Sequence, residues 1–205
     1  MPRQSRNRGQ IILGITGSFG SGKTTVARFF KSRHTKIIDA DRLAHGLFKP
    51  GSKTYKRIVA AFGRGIVGDN RRIDRRKLSG IVFNDKGLLK KLNQIIHPQV
   101  IKIIKGQIKS SKGTRMIILD IPLLVEAGLR KMADKLIVVK INQAKQIQRI
   151  QRKTSLKKYE IMKRIRSQIP LRRKLHLADF IIDNNGTIKE TKKQAAEIRR
   201  LLWKN

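Results

Sequence analysis

A short apolar run, Ile11-Ile12-Leu13-Gly14-Ile15-Thr16, leads without a break into Gly17-Ser18-Phe19-Gly20-Ser21-Gly22-Lys23-Thr24. This junction constrains the fold more than any other feature of the chain, because it asks for a buried strand, a tight glycine turn and a helix in immediate succession. The apolar run reads as a strand covered on both faces, as in a parallel sheet. Beyond the turn, Val26, Ala27, Phe29 and Phe30 recur at helical spacing across residues 24–33. Glycines at these positions let successive backbone N–H groups turn inward toward phosphate oxygens, and the positive end of the helix dipole adds to the attraction. In that pattern Lys23 reaches the β- and γ-phosphates of a nucleoside triphosphate and the Thr24 hydroxyl ligates Mg2+. A glycine turn with no ligand is the competing reading. All the fixed positions and both flanks are present, which weighs heavily against it.

Four further strand-like runs follow: residues 36–40 (KIIDA), 115–120 (RMIILD), 135–141 (KLIVVKI) and 179–183 (DFIID), the last stopped by the turn signal Asn184-Asn185-Gly186. Strands alternating with helical patterns predict an α/β fold, a parallel sheet with helices on both faces. Residues 42–112 read as a helical insert, from Ile58, Val59 and Phe62, then Leu78, Ile81 and Val82, then Leu88, Leu89, Leu92, Ile95 and Ile96. His97-Pro98 is expected to break the last of these helices, since proline removes a donor and crowds the preceding turn. A second helical stretch over 143–178 is dense in arginine and lysine, and 187–203 reads as an amphipathic terminal helix. One domain is expected over the 205 residues: a core of 11–41, 113–142 and 179–205, the insert 42–112 and the region 143–178.

Charge is the unusual part of the composition. Lys and Arg total 49 against 13 Asp and Glu, a formal net charge of +36. Such a chain attracts polyanions, so non-specific binding to nucleic acid is expected. The basic residues spread from Arg3 to Lys204 without forming a block, which favours solvated helix faces over a dedicated patch. Aromatic residues make up 5%, few for a base-stacking surface. Cysteine is absent, which excludes a disulfide scaffold or a thiol nucleophile and fits a reducing compartment. No apolar run reaches the roughly 20 residues of a membrane span, and the first ten residues lack the apolar stretch of a secretory signal. A soluble, cytoplasmic protein is the expectation; the sequence is silent on oligomeric state.

Where acids are scarce, pairs of them stand out. Asp39 and Asp41 end the second strand, at the sheet edge where ligands of open α/β folds collect. Read as an extended segment, they point to opposite sides: one faces the reacting groups as general base, and the other contacts metal-bound water or holds the loop. A helix N-cap would account for Asp41 alone. Asp120 ends the third strand, where an acid can join the magnesium shell, and is followed by Pro122-Leu123-Leu124-Val125-Glu126, an apolar wall for an acceptor with an organic tail. His97 reads equally as substrate contact or structure. Arg149 and Arg152 share a helix face and could stabilise charge on a transferring phosphoryl group.

Together these segments resemble the dephospho-CoA kinase family. The resemblance rests on ITGSFGSGKTTVA, IIDADRLAH, PGSKTYKRIVAAFG, IDRRKLSGIVF, IIHPQV, DIPLLVEAG, SQIPL and ADFIIDNNGT, in that order, from about Ile11 to the final helix. It implies a P-loop fold like that of nucleoside monophosphate kinases: a five-stranded parallel sheet, a helical CoA-binding lobe at 42–112 and a lid at 143–178. It implies transfer of the ATP γ-phosphate to the ribose 3′-hydroxyl of dephospho-CoA, with ATP and Mg2+ as cofactors. On that pattern Asp41 is the base, and Gly20, Ser21, Gly22, Lys23, Thr24 and Thr25 bind ATP beside Gly17. Arg75, His97, Pro122, Leu123, Leu124 and Glu126 match positions lining the acceptor pocket. Thr24 and Asp120 as metal-holding residues, and Asp39 beside the acceptor, rest on the motif and strand-end readings above rather than on the resemblance. Arg149 is a catalytic lid arginine, with Arg152 or Lys153 as second cation. A kinase for another small molecule or nucleotide is the alternative, and a nucleotide-regulated nucleic-acid-binding module is the third reading.

Overall fold

The computed structural model describes residues 9–121, 124–126 and 128–203. Five strands form one parallel sheet in the order β2-β3-β1-β4-β5: β1 (Ile11–Gly17), β2 (Thr35–Asp39), β3 (Met116–Asp120), β4 (Lys135–Lys140) and β5 (Phe180–Asp183). The expected strands are all present, each within a residue or two of its predicted bounds. β1, β3 and β4 are apolar on both faces because both faces are covered. On one, Leu13, Ile15, Met116, Ile118, Ile137 and Val139 pack with Val26, Ala27 and Phe30 and with Ala195 and Ile198. The residues of this layer come from α1 (Lys23–Phe29), its C-cap Phe30, and α9 (Ile188–Trp203). The other face meets α8 (Leu171–His176) and a 3-10 turn at Leu129–Met132. A Cβ on Gly14 would come within 3.0 Å of both Ala133 and Leu124, so only glycine lets that layer close on β1.

The chain divides into two compact units: residues up to 39 with those from 108 onward, and residues 40–107. The first also contains α6 (Gln143–Gln151) and α7 (Lys158–Arg166). The second holds α2 (Ala40–Leu47), α3 (Lys53–Phe62), α4 (Arg75–Val82) and most of α5 (Lys86–Lys109). Its helix starts are fixed by side chains: Ser52 Oγ accepts from Tyr55 N–H at 3.0 Å, Asp74 from Arg76 and Lys77, and Asp85 from Gly87 and Leu88.

Two expectations are corrected here. Pro98 does not break the helix: α5 runs through it for 24 residues. Pro98 and Gln94, whose carbonyl loses its N–H partner, are both exposed, so water can serve that carbonyl, while Leu92, Ile95, Ile96, Val100 and Ile104 bury the opposite stripe on both sides of the proline. Asp41 is not in an extended segment either. β2 ends at Asp39 and α2 begins at Ala40, which puts Asp41 inside the first helical turn. The strand alternation that would oppose Asp39 to Asp41 therefore does not apply, and Asp41 is no N-cap.

The scarce acids are used on the backbone. Besides Asp74 and Asp85, Glu160 accepts from Lys157 N–H and Glu190 from Thr187 N–H at the starts of α7 and α9. Asp134 accepts from Ile12 N–H, Asp179 from Leu136 N–H, Asp183 from Asn185 N–H and Glu126 from Ile169 N–H. No described helix is long and apolar enough to cross a membrane.

Candidate active site

β1 ends at Gly17 and α1 starts at Lys23, so the glycine turn lies between a strand and a helix as expected from sequence, and the strand is the central one of the sheet. Gly20 (φ 72°) and Gly22 (φ 95°) are left-handed, a conformation in which a side chain is strained. The space is also taken. A Cβ on Gly20 would approach Ile150 Cδ1 to 2.5 Å, and one on Gly22 would strike the Asn184 amide. Ser18, Ser21 and Lys23 are buried, and the Lys23 ammonium donates to Ser18 O at 2.9 Å. Thr24 and Thr25 are exposed on the first turn of α1. The Ser21 hydroxyl is buried with no hydrogen-bond partner among the described residues.

Side chains from four later segments hold this turn, and the sequence reading gave none of them a role there. Gln146 of α6 donates to Ser18 Oγ at 3.1 Å and to Phe19 O. Gln168 accepts from Phe19 N–H at 2.9 Å, and the Lys174 ammonium donates to Gly17 O at 3.2 Å. Asn184, following β5, donates to Ser21 O at 2.8 Å and accepts from Thr191 Oγ1 at 3.0 Å. The Arg164 guanidinium lies 5.4 Å from the centre of the Phe19 ring, and burial pulls its pKa below the ordinary arginine value, with Glu160 opposing. Asn184 belongs to a segment read only as a turn signal. Gln168 lies in SQIPL, quoted only for the resemblance, and neither Gln146 nor Lys174 carries a local signal, one lysine among 49 basic residues having nothing to set it apart.

Asp39 and Asp120 are register partners at the carboxyl ends of β2 and β3, and Asp120 also pairs with Ile15 of β1. Asp120 is 2% exposed and Asp39 half-buried. Asp41 follows two residues on, exposed, as part of the 40–107 unit. That unit also holds Arg75, exposed at the start of α4, and His97, half-buried on α5 with its pKa lowered by burial. Among the described residues no group of three or more acids or histidines forms a metal-binding cluster.

Leu124 is wholly buried against Gly14, a packing position in the core. Glu126 is half-buried and pairs with Lys174 at 2.6 Å. Pro122 and Leu123 lie outside the described residues. Arg149 donates to Asn184 O at 2.9 Å and to Gly186 O at 3.4 Å, which places its guanidinium on the turn after β5. Arg152, the C-cap of α6, and Lys153 are exposed.

A glycine cradle at the head of a parallel sheet, with acids at the adjacent strand ends, is shared by many phosphoryl-transfer proteins. Comparison with known proteins narrows it. Residues 11–190 match the family described as dephospho-CoA kinase. The chain belongs to that family. A dephospho-CoA kinase of Carboxydothermus hydrogenoformans is 40% identical over 197 residues, covering 95% of this chain and 96% of the relative. Among solved structures, a Thermus thermophilus protein superposes with a TM-score of 0.80 at 28% identity, covering 95% of this chain and 98% of its own. A dephospho-CoA kinase from Campylobacter jejuni gives 0.67 at 28% identity, with 94% and 97% covered.

Proposed function

We propose that this chain transfers the γ-phosphate of ATP to the ribose 3′-hydroxyl of dephospho-CoA, giving coenzyme A and ADP. The observation that carries the reading is family membership across residues 11–190 joined to a fully formed glycine cradle at Gly17–Thr24. A kinase for a different small molecule would share the cradle, but not the family match over both compact units.

The residues present fit a triphosphate. Side chains at Gly20 and Gly22 would clash, and the buried Ser21 hydroxyl has an unused bond to give. Gly17, Gly20, Ser21, Gly22, Lys23, Thr24 and Thr25 bind ATP in this reading, with Lys23 meeting developing charge on the phosphates. Thr24 and Asp120 would hold Mg2+, a hydroxyl and a carboxylate being the hard oxygen donors such an ion takes. Bound there, the ion would supply positive charge against the charge of the transferring phosphoryl group.

Asp41 serves as general base, orienting the acceptor hydroxyl and taking its proton as the oxygen attacks phosphorus. The oxygen–phosphorus bond forms as the bond to the leaving ADP oxygen breaks. Asp39, Arg75, His97 and Glu126 contact the acceptor, with residues 40–107 as its lobe and 143–178 as the lid. Arg149 stabilises the transition state from that lid, and to do so it gives up the Asn184 and Gly186 carbonyls it holds in this structure. A cytoplasmic enzyme is proposed, and its positive charge adds a generic, salt-sensitive affinity for nucleic acid.

The test is direct. With ATP and Mg2+, dephospho-CoA should be converted to coenzyme A while nucleosides and nucleoside monophosphates are left untouched. Turnover of one of those and none of dephospho-CoA would overturn the reading.

A further inference from the structure

Lys174 is 0% exposed, in a chain with a formal charge of +36 and an exposed position available for almost any lysine. Burying an ammonium is costly unless it is paired and hydrogen-bonded. Its two bonds go to different parts of the site: Glu126 Oε1 at 2.6 Å and Gly17 O at 3.2 Å. Gly17 is the hinge between β1 and the cradle, wedged so tightly that a Cβ there would lie 2.5 Å from Val139 O and 2.6 Å from Ser21 Oγ. Glu126 closes the segment that follows β3.

The same stretch of chain grips both parts at three points. Gln168 takes the Phe19 N–H of the cradle, Ile169 N–H donates to Glu126 Oε1 at 3.2 Å, and Lys174 joins Glu126 to Gly17. Glu126 is thus pinned through Oε1 alone. Its Oε2 is buried and has no hydrogen-bond partner among the described residues. A carboxylate held by one oxygen and unsatisfied at the other is set to accept a bond from an incoming N–H or O–H.

We propose that Lys174 is a positioning residue that couples the two substrate sites, fixing the Gly17 carbonyl of the ATP cradle and presenting Glu126 Oε2 to the acceptor. This inference rests on the proposed function for the identity of the acceptor, but its ATP half stands without it. Loss of the shared ammonium is therefore felt at both sites, whereas Glu126→Gln, which keeps Lys174 and its bond to Gly17 O, is felt mainly by the acceptor.

The experiment measures ATP dissociation constants by calorimetry without acceptor, and KM and kcat for dephospho-CoA, in the full-length protein and in Lys174→Met, Glu126→Gln and the double variant. Lys174→Met should raise both the ATP Kd and the dephospho-CoA KM about tenfold. Glu126→Gln should raise the acceptor KM by a similar factor and shift the ATP Kd less than about threefold. In the double variant the acceptor KM should be no worse than in Lys174→Met, because two residues acting as one unit do not add. Should Lys174→Met fail to fold with Glu126 left unpaired, the double variant, which removes both charges, gives the reading.

An ATP Kd within about twofold of the parent in Lys174→Met or the double variant overturns the proposal. So do acceptor effects that multiply. If the parent protein does not turn over dephospho-CoA, the assigned reaction falls, and the calorimetric arm still decides the link between Lys174 and the cradle.

Discussion

In the sheet-bearing unit, β3 and β4 alone place Met116, Ile117, Ile118, Leu119, Leu136, Ile137, Val138 and Val139 at 0% exposure. In the 40–107 unit only Ile58 and Ile104 reach that value, and most of its other core residues keep a few per cent of their surface. The first unit is a packed template in which side chains from four segments clamp one turn. The second is a set of helices held by thin apolar stripes and by Ser52, Asp74 and Asp85 at their starts. The difference teaches where each kind of damage should appear. Substitutions around the cradle should alter chemistry or ATP binding, and substitutions within 40–107 should alter stability or acceptor affinity.

The most severe test crosses that division. Asp41 belongs by contact to the 40–107 unit, yet it is assigned the base. Asp41→Asn should lower kcat by about 10²–10⁴ with little change in melting temperature, and an unchanged kcat would return Asp41 to a purely structural role in α2. Lys23→Ala, on the cradle side, should cost on the order of 10²–10³ in kcat. A loss confined to KM would mean that Lys23 binds ground and transition states alike.

Ile104→Ala should destabilise the protein by roughly 2–5 kcal/mol in denaturant unfolding, since a wholly buried side chain leaves a cavity. A much smaller loss would show that this helical unit can collapse around the gap, and would sharpen the contrast with the sheet. Gly22→Ala forces a side chain into a left-handed residue, at about 1–2 kcal/mol, and into the Asn184 amide. ATP binding should weaken with it.

The smallest effect is a matter of pH. Burial lowers the His97 pKa below its ordinary 6.5, so the unfolded chain binds more protons at this site than the folded one between the two values. Stability from this group therefore falls as pH drops through about 6.5 and levels off below the folded pKa. His97→Gln should flatten that part of the stability profile in urea titrations at successive pH values. An unaltered slope would remove His97 from the account.

The parts of the molecule readable from sequence are those with a local signature. Short apolar runs marked all five strands, although only β1, β3 and β4 are covered on both faces, and glycines at fixed spacing marked the cradle. Long-range support was unreadable, because Gln146, Gln168, Lys174 and Asn184 reach the turn from up to 163 residues away. Pro98 misled for another reason: a local rule about proline gave way to an apolar stripe continuous on the helix's far side. Asp41 misled by one residue of boundary, which was enough to exchange a strand's alternation for a helix's pitch.

The deployment of the few carboxylates bears on how the protein meets acid. At least eight of its 13 acids accept backbone N–H groups at helix starts, strand edges and turns. Hydrogen bonds from Thr187 hold Glu190 below the usual carboxylate range; at Asp183, burial pushes upward but bonds from Asn185 and Lys140 outweigh it. Their contribution is present above the unfolded carboxylate pKa and disappears as pH falls through the folded values. Each proton taken up there also adds to a positive charge already large. The turn after β5 and the start of α9 should thus loosen in acid, with self-repulsion mounting as these two clasps let go.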